Sequence, residues 1–300
     1  MSGTKNLTKN RRLGDGGIAP YLMVLPAVLF FLIFTIYPMI DMIVLSFHDY
    51  NVLSDRTFVG LKNYKFLFQT SFDFWVCLRN TAVYTAAVVF FLLLFSLIFA
   101  VFLQKDSLLN SIAQRIMFFP HLCSMLAVSL VFSWLMDENG LFNAVLNIFN
   151  LPGLRWLNSS DTAMIAVVIV AVWKGIGYHT LILLSSLKTI PQEIFEAADI
   201  DGVGPFRKFF TITIPMLSPQ LFFLLITITI SSFKVFDSIR TMTGGGPGKS
   251  TMVLVYYIYQ YAQYYLKYGI AAAAGTVMIV ILMVLTVIYF KVLDKRVHYE

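Results

Sequence analysis

The chain runs to 300 residues, 58% of them hydrophobic and 13% charged, with 28 Phe and a formal net charge of +6. A soluble domain carries roughly 45–50% apolar and about 25% charged residues. One aqueous core therefore cannot hide this composition, and a multi-span membrane protein is expected. The positive balance is read as basic residues at the cytoplasmic membrane face, not as a nucleic-acid surface. Cys77 and Cys123 lie in or beside apolar segments near opposite faces of the membrane. They are expected to be small hydrophobic residues in helices, not a disulfide framework or a metal site.

In chain order, Met1 to Ala19 is a polar tail with Lys5, Lys9, Arg11 and Arg12 and no cleavable secretion signal. The apolar segment after it, roughly 20–47, is expected to remain as a signal anchor. A spanning helix needs about 20 mainly apolar residues. Further segments of that kind lie at roughly 76–103, 116–136, 162–187, 212–236 and 268–293. The expected fold is an all-α membrane protein with six transmembrane helices in one domain over 20–293, followed by a short tail over 294–300. No internal repeat is evident.

Six spans place both termini on one side. If that side is inside, Lys105, Arg115, Lys188, Arg207, Lys208 and Lys291 join the basic tails there and outnumber the outer Lys and Arg. The basic flank of the first helix favours the same orientation. Outside, Tyr50, Phe72, Phe74, Trp75, Trp156 and the run Tyr256 to Tyr265 are expected in the headgroup belt. Residues 252–266 read as an outer extension of the sixth helix.

Ionisable groups inside a bilayer are expensive and default to functional candidates. Asp41 is late in the first span and is expected to be solvated at the outer interface. Lys234 and Asp237, three residues apart, are expected to pair or snorkel. Lys174 lies deep in the fourth span, roughly 18 Å from its start at 1.5 Å per residue. Ala171, Lys174, Gly175 and Tyr178 share one helical face at i, i+3, i+4, i+7. A lysine, a glycine and a tyrosine hydroxyl make a candidate polar strip on a translocation path, with Ser231 and Ser232 of the fifth span facing it. The alternative is that Lys174 pairs with a neighbouring subunit and the serines bond back to backbone carbonyls.

Between the fourth and fifth spans lies "LKTIPQEIFEAADIDGVGPFRKFFTITIPMLSP". Thr189 and Gln192 have capping-box spacing, Pro191 suits a first turn, and Glu193 and Glu196 sit near the positive helix end. Gly202 stops the helix and Pro205 starts a second short one with Arg207 and Lys208. The first is roughly 14 Å long and lies across the membrane surface. Ala197 and Ala198 give it a small-sided face, and Ile194 and Phe195 an apolar ridge. Such a helix either docks into a partner's cleft or is an ordinary amphipathic surface helix. Pro215 and Pro219 mark a flexing point at the start of the fifth span.

The outer stretch "TMTGGGPGKSTM" ends like a phosphate loop in Gly248-Lys249-Ser250. Thr243 stands where that loop needs its first glycine, and Pro247 removes a backbone donor. A glycine-rich turn joining two helices is the expectation.

Glu196-Ala197-Ala198, then Gly202, then Ile212-Thr213-Ile214-Pro215 resembles the EAA motif of ATP-binding-cassette importer permeases. Ile214 stands where leucine is usual, and Val203 where alanine often follows the glycine. "FVGLKNYKFLF", "FWVCLRNTAVYT" and "TGGGPGKST" before "YYIYQYA" look like the carbohydrate branch, which includes maltose and glycerol-3-phosphate permeases. The resemblance covers nearly the whole chain. It implies a permease in a bacterial cell membrane that does no chemistry itself. Two ATPase subunits on other chains would use ATP and Mg. A second, homologous permease would complete the path, and an extracytoplasmic solute-binding protein would deliver a sugar. It further implies that residues 188–211 form a coupling loop, with Glu196 as anchor, Ala197 and Ala198 as close-packing face and Gly202 as bend. Solute contacts are implied at the depths of Tyr178 and Ser232.

Two other classes make different demands. An ATP-independent secondary transporter or channel calls for paired acidic residues or broken-helix repeats within the spans. A membrane-embedded enzyme calls for a His and carboxylate cluster at one depth, whereas His121 and His179 read as isolated interfacial residues.

Overall fold

A computed structural model describes residues 19–51 and 55–293. The expected terminal tails, with their basic residues, lie outside the described residues apart from Ala19 itself. Among the described residues, four helices are each long and apolar enough to cross a membrane, and two bent pairs raise the number to at most six. The single helices are α1 (Pro20–Leu45), α2 (Phe72–Phe102), α6 (Ala163–Leu187) and α11 (Tyr268–Leu293). The pairs are α3 (Leu108–Leu122) with α4 (Met125–Leu135), and α8 (Pro205–Met216) with α9 (Ser218–Phe233). The shorter helices include α5 (Leu141–Ile148), α7 (Gln192–Ile200) and α10 (Leu254–Gln263), besides brief helical turns at 62–70 and Ile239–Thr243.

At the centre is α2. Ser71 caps it by accepting the Phe74 N–H at 3.3 Å, and Asp73 adds a negative charge to its first turn. Phe74, Cys77, Thr81, Tyr84, Val88, Leu92, Ser96 and Ala100 follow one another at steps of three or four and are all buried. This stripe packs chiefly against α6 and α9. Phe74 and Tyr257 are therefore core residues, with rings 6.0 Å apart, and not part of the exposed belt expected for them.

The third expected span, 116–136, is not one helix. Its two pieces meet at 101° across Cys123 and Ser124, both extended. Pro120 withholds a donor from the last turn of α3 and crowds the turn before it. The fifth expected span is bent by 67° at Leu217. Here Pro215 follows a π-helical turn, Phe209–Thr213, in which the Ile214 N–H reaches back to Phe209 O. The same device precedes Pro38, where the Tyr37 N–H reaches Leu32 O. A proline ring pushes on the preceding turn, and the turn widens by one residue.

Asp41 keeps a side chain 38% exposed, as expected, and also has a partner. Arg56 donates to both its carboxylate oxygens, at 2.9 and 3.3 Å, and ties α1 to the chain just before β2 (Thr57–Phe58), which pairs with β1 (His48–Asp49). Residues 252–266 do not extend the last span, because α10 ends before the turn Tyr264–Lys267 and packs back on α11 and α2. The glycine-rich loop ahead of α10 is held at many points. Asn80 donates to Lys249 O at 2.9 Å and Met252 O at 3.1 Å, and Thr81 Oγ1 accepts the Leu254 N–H. Lys249 Nζ donates to both oxygens of Asp73 at 2.7 Å. That lysine serves an ion pair, and the loop does not form a phosphate nest.

Candidate functional site

A cleft of about 420 Å³ opens between α2, α6, α9 and the end of α3. All six expected path residues line it: Ala171, Lys174, Gly175, Tyr178, Ser231 and Ser232. Two helical turns of α6 supply the first four, as their shared face requires. Ser231 is exposed and donates back to Thr227 O at 2.5 Å, while Ser232 is buried in the wall. Lys234 and Asp237 also line the cleft but form no ion pair with each other. Both stand exposed past the end of α9.

Lys174 does not point to open space. Its Nζ donates to the His121 carbonyl at 3.0 Å. That carbonyl belongs to the last turn of α3, which has no following helical residues to satisfy it. The ammonium group also meets the negative end of the α3 dipole. The His121 ring lies flat on Tyr178, with centroids 4.3 Å apart and planes inclined by 6°. His179 Nδ1 is 2.7 Å from Gly175 O, and its ring meets Tyr178 edge-on. The two histidines are thus neighbours in one cleft, not isolated interfacial groups. Only knowledge that the third span breaks after His121 could have placed it there.

The close approach of α3 to α6 requires a glycine. A Cβ on Gly177 would lie 1.8 Å from the Met117 carbonyl oxygen. With hydrogen at that position, the α3 backbone lies directly on α6, and His121, one turn further, reaches Tyr178. At Gly175 a Cβ would meet Leu92 Cδ1 at 2.8 Å, so that glycine makes room for a leucine of α2.

The second candidate surface is α7. The expected capping box does not form: Thr189 Oγ1 donates to Ser186 O, and Pro191 takes the N-cap position without a side-chain bond. The far end is a Schellman motif. The Val203 N–H donates to Ala198 O and the Gly202 N–H to Asp199 O, with Gly202 at φ +70°. Glu196 and Ala197 are exposed, Ile194 and Phe195 half-buried, and Ala198 is buried against the chain itself. Ala198 therefore does not belong to an outward small-residue face. Lys208 pairs with Asp199 and holds α7 to α8. Two apolar side chains that the sequence pattern did not single out stand out of this surface, Ile200 at 87% and Phe206 at 78% exposure.

Several apolar helices, with two bent pairs beside a cleft that carries a few polar groups, define a polytopic membrane protein of the transport-permease class. The chain belongs to the family of binding-protein-dependent transport system inner membrane components, whose family model matches residues 93–299. Members are permeases of ATP-binding-cassette importers and not enzymes. The chain is 32% identical to the sulfoquinovosyl glycerol transport system permease of Agrobacterium fabrum, over 95% of this chain and 92% of that one. It is 34% identical to the trehalose/maltose transport system permease of Thermococcus litoralis, over 96% and 97%. It shares its fold with a chain of a bacterial alginate importer solved in complex with an alginate pentasaccharide-bound periplasmic protein. The TM-score there is 0.79 at 24% identity, covering 90% of this chain and 92% of that one.

Proposed function

We propose that the chain forms half of the translocation path for a sugar or oligosaccharide handed over by an extracytoplasmic binding protein. A second, homologous permease supplies the other half. Two ATPase subunits on other chains, using Mg and ATP, drive the cycle, and no cofactor is held on this chain. The permease domain is 20–293 with six spans, both termini lie in the cytoplasm, and 188–211 is the coupling loop. On that loop α7 docks into an ATPase, with Glu196 and Ala197 outward and Ile200 and Phe206 flanking them.

The observation that carries this reading is the convergence of Tyr178, Ser232, Gly175 and Ala171 on one cleft between α6 and α9. Sugar sites combine an aromatic face with a few fixed hydroxyl partners. Relatives named for sugar glycosides and disaccharides support that solute class. The ATP-independent alternative lacks paired carboxylates in the cleft, where Asp237 is the one acidic residue among those described.

The test is uptake by the reconstituted complex, with its binding protein, of labelled maltose and alginate oligosaccharides. Tyr178→Ala is expected to lower uptake at least tenfold, equivalent to about 1.4 kcal/mol, while ATPase assembly persists. Uptake by the lone chain without ATP would overturn the reading.

A further inference from the structure

We infer that Lys174 and His121 are positioning residues for Tyr178: Lys174 grips the open end of α3 and so sets the His121 ring as a backing plate for the tyrosine. Three contacts in series make the device. Gly177 lets the Met117 carbonyl lie against α6. Lys174 Nζ then takes the His121 carbonyl at 3.0 Å. The imidazole thereby lies parallel to the phenol at a centroid distance of 4.3 Å. Lys174 and Tyr178 are one turn apart on α6, so the lysine and the ring it serves hold the same residue of α3 from both of its ends, backbone and side chain.

The chemistry requires such a grip. In the low-dielectric interior a carbonyl at a broken helix end must find a donor, and an ammonium must find an acceptor. Each satisfies the other here, and the negative end of α3 adds to the attraction. Without Lys174, the His121 carbonyl in the last turn of α3 loses its donor, two residues before the chain becomes extended at Cys123. The break would then adjust, and the His121 ring would leave its place over Tyr178. Lys174 is consequently not a ligand for solute: it acts through His121. With His121 on one face and His179 against the ring at 5.1 Å, Tyr178 stays 38% exposed, and the solute is left the part of the ring that neither imidazole covers, suited to the flat apolar face of a pyranose. This last step rests on the translocation reading; the grip and the stack do not.

The experiment places 3-fluorotyrosine at position 178 in the assembled complex in lipid nanodiscs and reads its fluorine resonance without any solute. In the parent protein the resonance is expected to be shielded by the imidazole. His121→Ala should move it downfield, and His121→Phe, which keeps a flat ring, should hold it. Lys174→Met should move it in the same direction as His121→Ala, and Lys174→Arg, which keeps a donor, should restore it. An unmoved resonance in His121→Ala would show that the rings do not stack, and one unmoved in Lys174→Met would show that the grip does not set them. Either result overturns the inference. Should Lys174→Met fail to assemble, Lys174→Gln, too short to reach the carbonyl, is read in its place. Because no solute is used, Tyr178→Ala can leave uptake intact and sink the translocation reading while this result stands, and the reverse holds equally.

Discussion

Gly177 shows how one missing methyl group decides an arrangement. A Cβ there would overlap the Met117 carbonyl at 1.8 Å, and backbone cannot step aside as a side-chain tip can. Gly177→Ala is expected to destabilise the protein by about 1–3 kcal/mol or more, seen as earlier thermal unfolding of the detergent-purified chain. At Gly202 a Cβ meets nothing within 4 Å, but φ is +70°. Gly202→Ala should therefore cost only about 1–2 kcal/mol, and by local strain, with no change in helix packing. The sequence pointed to Gly175 as the glycine of the polar strip. It does admit Leu92, but the tighter approach is two positions on. Glycine content is visible in a sequence; which helix lies against each glycine is not. Lys174 is a similar case. Its depth marked it as exceptional, but its partner is a backbone carbonyl exposed by a helix break, and backbone carbonyls carry no signature in sequence.

Among the elements, α7 was legible in outline and its facing was not. The helix carrying the Glu-Ala-Ala run starts and stops where Pro191 and Gly202 placed its ends, at the expected length. The two alanines are adjacent, however, and adjacent helical residues point about 100° apart. They cannot both face a partner and the bundle alike. Ala197→Trp is expected to abolish co-purification of the ATPase subunit while leaving the unfolding temperature of the permease unchanged. Ala198→Trp should lower that temperature, because Ala198 is packed inside. Glu196→Lys should leave assembly measurable and uncouple ATP hydrolysis from uptake in proteoliposomes. The broken third span escaped detection because hydropathy sums over a window and takes no account of direction. Its two halves are apolar enough together, and only Pro120 hinted at the turn between them.

For the whole molecule, the six apolar segments, the long central helix and the glycine-rich turn all follow from composition and punctuation. The ties that fix them to one another join distant parts of the chain and do not. Asp73 and Lys249 are 176 residues apart and form a two-pronged ion pair. Hydrogen bonding to Asp73 raises the Lys249 ammonium above its ordinary 10.5. A lysine raised in the folded state contributes its stabilisation fully below that ordinary value and loses it as pH climbs through the raised one. The protection of 244–252 against hydrogen exchange, with the base-catalysed rise of the intrinsic rate divided out, is therefore expected to hold from neutral pH to about 10 and to fall above it. Lys249→Met should show the lower protection already at pH 7. Both side chains are partly exposed, so the effect should be confined to the loop.

The same loop has a mechanical corollary. Asn80, Thr81 and Asp73 pin residues 249–254 to the start of α2, and these follow α9 through a π-helical turn (Ile239–Thr243) and the glycines, while the other end of α9 begins at a 67° elbow. A rod of 16 residues, about 24 Å at 1.5 Å per residue, is thus tethered beyond one tip and jointed at the other. On the coupling reading, a push arriving through α7 and α8 would swing α9 from its elbow. Displacement would then be largest there and would fall toward Ser232, at the tethered end.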